Sequence, residues 1–510
     1  MALPAEHDGE VPPPPADDAV KEAVVPLPWK TRICFALGGA PIALLSDVPG
    51  LFISPYLLET VLISPGTLGQ MFLGAKIFDA VVDPFIGIMT DRTRSRYGRR
   101  KPWMVFALLL AILSNTLLWH TLPPTAAYGA KVGYYFVWLC LVALSVTLFL
   151  VPYSSMTTEV TLVDAQRAQL TEGRSALNFL STLIGVMVVG LFVDTLFVDQ
   201  PTMRYFYANI VVTLLVSGAI ASVVFGVHAP HDLPHSGAGE RSFKAELAWT
   251  MRAFRGIIVQ REFWSLASVA TINWMAVYLL QNNLKLYVDY CTQLPSMFTP
   301  LMVVALVSSV AWVFLWRFIV RWKGKKTVLF IGQASLLVTY VCVAVAPAEN
   351  VPFLMVIAVF TGLSLSSVNL LPWMLLPDVI DFDEHRSGER REGVSTSFIV
   401  LFYKTSIGLA LAVSGFVLEA GGYDNSEGIP EYTEEIDRTL RLLTGVMPAV
   451  MVLLTIPFVF LYPITPERHA DVLEEIARRR QKGGDMSQSL LAGVSMDVRE
   501  HSPLLGDNAE

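Results

Sequence analysis

The sequence predicts an all-α membrane protein in which twelve transmembrane helices form two six-helix bundles. Of its 510 residues, 53% are hydrophobic and only 16% are charged, whereas a typical soluble domain has about 25% charged residues. Apolar runs of about 20 residues recur along the chain, and each is long enough to cross a hydrocarbon core of about 30 Å as a helix. These runs lack the alternation of β-barrel strands. The basic residues are concentrated in alternate connections between the runs.

The apolar runs divide into two groups of six, with glycine, proline and charged residues marking most of their ends. The predicted spans cover residues 33–61, 67–90, 102–122, 130–157, 171–198, 204–227, 263–290, 297–320, 327–346, 351–377, 394–418 and 440–463. We therefore expect an N-terminal tail (1–30), an N-terminal bundle (31–228), a linker (229–260), a C-terminal bundle (261–465) and a C-terminal tail (466–510).

The distribution of Lys and Arg predicts which connections face the cytoplasm. Residues 91–101, between the second and third spans, and residues 317–326, between the eighth and ninth, are densely basic, as cytoplasmic loops usually are. Counting spans from these loops places the linker and both tails on the cytoplasmic side. The acidic, proline-rich start of the chain lacks the basic and apolar segments of a signal peptide, so we expect residues 1–30 to remain as a disordered cytoplasmic tail.

Two bundles joined by a polar segment are typical of a transporter whose substrate site lies between them near the bilayer midplane. The sequence has no Walker loop, no dinucleotide fingerprint and no His-Glu-x-x-His pair. We therefore expect no enzyme activity, no organic cofactor and no metal other than a monovalent cation, with transport driven by a Na⁺ or H⁺ gradient. The expected partners are the lipid bilayer and a small-molecule substrate, with no nucleic acid, and the expected state is a monomer.

Asp79 and Asp83 lie within an apolar stretch of the second span and are the first candidates for a functional site. A charge at the centre of a membrane helix costs about 2.5–3.5 kcal/mol on insertion scales, so such residues usually have a role. Residues four apart share a helix face, and Lys76 lies one turn earlier. This pattern predicts a binding site for the coupling cation, Na⁺ or H⁺. The alternative is a purely structural Asp–Lys pair.

Lys76 and four further polar residues within the spans are candidates for substrate binding and coupling. Lys404, about ten residues inside the eleventh span, either pairs with the second-span aspartates or holds an anionic group of the substrate; the alternative is that it reaches the cytoplasmic surface. Arg174, near the start of the fifth span, is a gate or substrate residue, or an interfacial anchor. Gln281 and Asn282 belong to a polar cluster that either interrupts the seventh helix at the site or is exposed near the outer surface.

Opposite charges at the cytoplasmic ends of the spans predict a gate. Asp378 and Asp381 follow the apolar part of the tenth span, and Arg99 and Arg100 precede the third. Ion pairs between these acidic and basic groups would form in one conformation and break in another. The alternative is a solvated run of charges.

Several of these segments resemble the major facilitator superfamily, in its branch of glycoside–pentoside–hexuronide:cation symporters. The resemblance covers most of residues 31–465 and rests on the segments 78–87, 94–103 and 390–393. It implies the twelve-helix fold, alternating access between two bundles, a cation site at the Asp-x-x-x-Asp pair, here Asp79 and Asp83, and a coupling role for the eleventh-helix lysine, here Lys404.

Other segments, at 36–41, 151–154, 370–373 and 376–381, are more similar to the eukaryotic sodium-dependent lysophosphatidylcholine symporters. Where the bacterial melibiose symporter has sugar-binding carboxylates on its first and fourth helices, this chain has Ala43 and Leu150, which favours a lysophospholipid over a sugar. The basic second-to-third loop resembles the sugar branch, and a fifth-helix glutamate of the lipid group is Asn178 here. A sugar or glycoside symporter therefore stays the alternative, followed by a non-transporting membrane receptor.

The C-terminal tail contains Glu500, Leu504 and Leu505 in an arrangement that resembles an acidic dileucine sorting signal. Such a signal implies recognition by clathrin adaptors and a location in the plasma membrane or in endosomal or lysosomal membranes. A plain disordered tail is the alternative.

Overall fold

The computed structural model describes residues 27–123, 125–161, 163–197, 200–227, 252, 255–257, 260–388, 392–426, 428–465, 467–476 and 478–479. Most of the predicted tails and linker, and with them the sorting residues Glu500, Leu504 and Leu505, lie outside these ranges.

Twelve long helical units account for most of the described residues and confirm the predicted fold class. In chain order they are α1 (Trp29–Thr60), α2 (Pro65–Arg92), α3 (Lys101–Leu118), α4 (Tyr128–Val160), α5 (Asp164–Leu191, continued by Phe192–Leu196), α6 (Pro201–Gly226), α7 (Arg261–Cys291), α8 (Phe298–Lys323), α9 (Lys325–Ala344), α10 (Val351–Ser387), α11 (Glu392–Ala420) and α12 (Glu434–Leu461).

Eleven of these helices are long and apolar enough to cross a membrane. The twelfth, α2, has 28 residues and is long enough, but Lys76, Asp79 and Asp83 reduce its hydropathy. The charges that identify α2 as a candidate functional helix are thus also the reason why its hydropathy is lower than that of the other eleven helices.

The tenth helix extends further than its apolar run. We predicted an end near residue 377, whereas α10 continues to Ser387 and ends at Gly388, whose left-handed φ of 72° terminates helices readily. Loss of hydropathy marks where a helix leaves the membrane, and the backbone hydrogen bonds can continue beyond that point. The acidic residues Asp378 and Asp381 therefore lie on the last turns of α10.

The first helix is irregular at its centre. Its backbone widens to π-helical hydrogen bonding over Ala43–Asp47, where the Val48 amide donates to the Ala43 carbonyl at 2.9 Å. Pro49 follows directly and has no amide hydrogen to donate, so the regular ladder is lost at this point. π-bulges of this kind are frequent at functional sites, and this one contains Asp47.

The two halves, α1–α6 and α7–α12, meet mainly through α1 with α7, α2 with α11, and α5 with α8. The backbones of α2 and α11 come close together near the predicted outer face. A Cβ atom added to Gly415 would lie 2.3 Å from the Pro65 carbonyl oxygen and 2.9 Å from the Gly69 Cα. Glycine therefore permits the two backbones to touch at this end of the molecule.

Replacing Gly415 by valine should force α2 and α11 apart at this contact. Overpacking costs about 1–3 kcal/mol, so we expect the population with a separated outer contact to rise about tenfold. The buried Ser54, replaced by cysteine in a chain whose native cysteines are removed, reports this opening through its labelling rate with a membrane-impermeant maleimide. Gly218→Val is the matched control, because a Cβ there meets no atom within 4 Å. Equal labelling in the two variants would contradict the prediction.

Candidate ion and substrate sites

Lys404 lies between Asp79 and Asp83 and joins the two halves of the protein. Its Nζ is 3.1 Å from Asp79 Oδ2 and 2.5 Å from Asp83 Oδ2. The Lys76 Nζ is 3.9 Å from the same Asp79 oxygen. Of the arrangements expected for Lys404, the structure therefore has the ion pair with the aspartates of α2. Two carboxylates and two ammonium groups together leave this cluster with no net formal charge.

Thr147 on α4 completes the cluster and was missed at the level of sequence. Its hydroxyl oxygen lies 3.0 Å from Asp79 Oδ1 and 2.9 Å from Asp83 Oδ1. A hydroxyl has one hydrogen to donate and two lone pairs, so it can donate to one carboxylate while its lone pairs remain directed toward a cation. No sequence signal distinguishes Thr147 from the other hydroxyl residues within apolar spans.

The donor atoms of this cluster suit a hard cation. Carboxylate and hydroxyl oxygens are the ligands that such ions prefer, and a proton is accepted by the same carboxylates. The Asp79 side chain is 6% exposed and that of Asp83 is 25% exposed, so one carboxylate remains accessible. In this conformation the Lys404 ammonium lies between the two carboxylates, and a cation can use both only if Lys404 moves.

A cavity lies between the two halves at the level of Asp47 and Tyr403. Its volume is about 130 Å³, within a wider space of about 960 Å³ that is partly open to solvent. Side chains from α1, α5 and each helix from α7 to α11 line it, and most of them are apolar or aromatic. Tyr403 lines the cavity and the adjacent residue, Lys404, belongs to the ion cluster.

The predicted substrate residues occupy different places. Gln281 lines the cavity, and its amide group lies 3.4 Å from the Asp47 carbonyl oxygen. Asn282 accepts a hydrogen bond from Ser54 at 2.5 Å instead and donates to Ser414 at 3.1 Å. The Arg174 guanidinium is 3.5 Å from the Ser154 hydroxyl, near the predicted cytoplasmic end of α5.

The prediction that the polar cluster around Gln281 and Asn282 interrupts α7 was wrong, and so was its alternative. The helix continues through both residues to Cys291, and Asn282 is only 4% exposed. Gln281 and Asn282 have hydrogen-bond partners on neighbouring helices, whereas the Asn283 amide donates to the Leu279 carbonyl of α7 itself.

The predicted gate residues are bound within their own halves in this conformation. Arg99 and Arg100 contact Glu159 at the end of α4, at 2.5 and 2.8 Å. Asp378 contacts Lys325 at 2.6 Å, and Asp381 contacts His469 at 3.0 Å. A pairing between these arginines and aspartates stays a prediction for another conformation.

A second charged cluster lies between the cavity and the predicted outer face; its Lys285 belongs to the polar cluster predicted on α7, and its aspartates were missed at the level of sequence. Lys285 Nζ is 2.8 Å from Asp289 Oδ1 on its own helix and 3.8 Å from Asp194 Oδ1 at the end of α5. The Thr299 hydroxyl donates to Asp194 at 2.8 Å. These contacts join α5 to α7 and α8 across the two halves.

Comparison with known proteins identifies the family. A sequence model described as MFS/sugar transport protein matches residues 34–466. The chain belongs to the major facilitator superfamily. The sodium-dependent lysophosphatidylcholine symporter 1 of Gallus gallus is 26% identical over 486 residues, covering 90% of this chain and 91% of that protein. The sphingosine-1-phosphate transporter MFSD2B of Mus musculus is 28% identical over 474 residues, covering 88% and 92%.

Solved structures agree with this major facilitator fold. The nucleoside transporter NupG matches with a TM-score of 0.61 at 12% identity, over 85% of this chain and all of that one. A bacterial homologue of the human lysosomal transporter Spinster, in an inward-facing and unoccupied conformation, matches with a TM-score of 0.59 at 14% identity, over 88% and 98%. The protein is thus a multi-pass membrane transporter of the major facilitator superfamily, and the relatives named above are transporters, as expected for a chain without enzyme activity.

Proposed function

We propose that this protein is a cation-coupled symporter that works by alternating access, with Na⁺ or H⁺ as the driving ion and a lysophospholipid as the substrate. The observation that carries the proposal is the cluster formed by Asp79, Asp83, Lys404 and Thr147, because it provides an ion site at a contact between the two halves. The names of the relatives, among them sodium-dependent lysophosphatidylcholine symporters, support both the sodium and the lipid.

Coupling follows from the competition between Lys404 and the cation for the same carboxylates. When the cation binds, it neutralises charge on α2, and the Lys404 ammonium of α11 loses part of its attraction to that helix. The strength of the contact between the halves therefore depends on whether the cation is bound. An inward-moving monovalent cation gains about 2.3 kcal/mol per 100 mV of membrane potential, which is enough to drive accumulation of a substrate.

The wall of the cavity supports an amphipathic substrate. Its aromatic and aliphatic side chains can cover a hydrocarbon chain, and Gln281, Asn178 and Asp47 supply polar groups for a headgroup. Arg174, one helical turn from Asn178, provides a positive charge for a phosphate. A glycoside is the second candidate, favoured by the sugar-transport description of the family and by these same polar groups. A receptor that does not transport is a third possibility.

Uptake into proteoliposomes separates these candidates. With an inward Na⁺ gradient and a negative interior, we expect a labelled lysophospholipid to accumulate more than tenfold above the level without a gradient, and a labelled glycoside to remain at background. A pH gradient in place of Na⁺ identifies the driving ion. Accumulation of the glycoside alone would support the sugar symporter, and binding without uptake of either compound would support the receptor.

The remaining expectations are part of the same proposal. We place both termini in the cytoplasm and propose the domain limits 1–30, 31–228, 229–260, 261–465 and 466–510 for the tails, bundles and linker. We also propose that the protein is a monomer, that it resides in the plasma membrane or in endosomal or lysosomal membranes, and that clathrin adaptors sort it.

A further inference from the structure

Asp47 is the one charged side chain among the described residues that line the cavity. It ends the π-helical segment of α1, directly before Val48 and Pro49. The bulge turns this part of the helix away from a regular course, and the Asp47 carboxylate lies at the cavity wall opposite α5 and α7. The first span is otherwise apolar around it, so a carboxylate there is an exception that requires a partner or a role.

The partners that Asp47 has in the structure are weak ones. Its Oδ2 accepts hydrogen bonds from the Asn178 amide at 3.4 Å and from the Thr182 hydroxyl at 3.5 Å, both longer than the usual range. Among the described residues it forms no ion pair with a lysine, arginine or histidine. A partly buried carboxylate without a cation is unfavourable, so a positive charge brought by a ligand would be bound favourably.

Three aromatic residues of α7 and α11 form one packed group on the cavity wall. The Trp274 and Tyr403 rings are 4.6 Å apart between centroids and nearly perpendicular, and the Tyr278 and Tyr403 hydroxyls are 2.9 Å apart. All three residues line the cavity together with Asp47. Aromatic faces attract large cations of low charge density, such as quaternary ammonium groups.

We propose that Asp47 and the aromatic group of Trp274, Tyr278 and Tyr403 form a subsite for the ammonium group of the substrate. This inference rests on the proposed transport of a lysophospholipid and specifies which headgroup it has. Arg174, Asn178 and Thr182 follow one another at four-residue intervals on one face of α5, about 6 Å apart along the helix. Arg174 lies one turn beyond the residues of α5 that line the cavity, so a phosphate that reaches it would be about one helical turn from an ammonium beside Asp47, as a zwitterionic headgroup requires.

Other occupants fit this subsite less well. A phosphate or carboxylate would be repelled by Asp47, because no basic side chain among the described residues lines the cavity beside it. A bare Na⁺ needs several oxygen ligands, whereas Asp79, Asp83 and Thr147 already provide such a set elsewhere. An uncharged sugar would leave the carboxylate without a counter-charge.

Binding of matched lysophospholipids to the purified full-length protein in nanodiscs tests the subsite. The probes share one acyl chain and carry a choline, an ethanolamine or a glycerol headgroup, the last having a phosphate but no ammonium. For the wild type we expect at least about tenfold tighter binding of the choline lipid than of the glycerol lipid. In Asp47→Asn this preference should disappear through weaker binding of the choline lipid, because the attraction between the carboxylate and the trimethylammonium charge, little screened inside the cavity, is enough for about a tenfold change. The ethanolamine lipid tells whether a primary ammonium is accepted as well.

Asp424→Asn is the matched control, since Asp424 lies exposed in the connection between α11 and α12. Affinity for the glycerol lipid equal to or higher than that of the wild type shows that Asp47→Asn is folded, because the substitution removes a repulsion from the phosphate. If that variant cannot be purified, Trp274→Leu is measured instead, with the same loss expected for the choline lipid. Equal affinity of the wild type for all three lipids would overturn the subsite and leave the proposed function standing. No binding of any lysophospholipid would instead refute the proposed substrate. A variant with altered Na⁺ dependence and unchanged headgroup preference would show that Asp47 belongs to the ion site.

Discussion

Asp79→Asn should abolish cation-driven uptake while leaving the protein folded. The substitution removes one of the two negative charges that hold Lys404 and the proposed cation, and it keeps the size of the side chain. Hydrogen bonds to a charged group contribute about 1.5–3 kcal/mol, so we expect cation binding to weaken by at least about tenfold and lysophospholipid uptake to fall to the level seen without a gradient. The measurement is initial uptake into proteoliposomes with and without an imposed Na⁺ or pH gradient.

The companion and control variants make this prediction specific. Asp83→Asn should reduce coupling in the same direction, because the Asp83 carboxylate contacts the same ammonium and the same Thr147 hydroxyl. Asp471→Asn, at an exposed position after the last transmembrane helix, should transport like the wild type. Wild-type stimulation in both Asp79→Asn and Asp83→Asn would rule out the cluster as the seat of the driving ion.

Lys404→Met should destabilise the protein and make its stability depend strongly on the cation. Removing one partner of a buried ion pair costs about 3–5 kcal/mol, and we expect the lower end because the Asp83 side chain is 25% exposed. Thermal unfolding in detergent should therefore begin at a lower temperature than in the wild type. Added Na⁺ should recover most of the loss, since binding at about 100 times the dissociation constant stabilises by about 2.7 kcal/mol.

The double variant Lys404→Met/Asp83→Asn separates charge from packing. It has one carboxylate fewer to neutralise, so its unfolding temperature should lie above that of Lys404→Met in the absence of Na⁺. Its response to Na⁺ should be smaller, because a ligand has been removed. If Lys404→Met is as stable as the wild type, or if Na⁺ does not stabilise it, the arrangement proposed for these residues is disproved.

The fold was predictable because a bilayer imposes a simple requirement on each span. Twelve apolar runs and the segregation of basic residues were enough to predict the helices and the two halves. The end of α10 was not predictable in this way. The sequence shows where polar residues begin, and the helix Val351–Ser387 continues past that point.

The candidate sites were predictable only where a residue was conspicuous in its own span. Asp79, Asp83 and Lys404 are charges within apolar sequence, and this is a strong local signal. Thr147 is an ordinary residue for its span, and its importance depends on which helix packs beside it. Asp47 carried the same kind of signal as Asp79, as the acidic residue of an otherwise apolar stretch, but it lacks a second carboxylate at helical spacing and was overlooked.

The adjacency of Tyr403 and Lys404 has a thermodynamic consequence. Tyr403 lines the cavity proposed for the substrate, and Lys404 contacts the carboxylates proposed for the cation. A rotation of this part of α11 would therefore alter both sites together. Thermodynamic linkage makes this coupling reciprocal. If saturating lysolipid changes the dissociation constant of sodium by some factor, saturating sodium must change the dissociation constant of the lysolipid by the same factor. Two titrations at equilibrium, one for each ligand, should therefore give the same number.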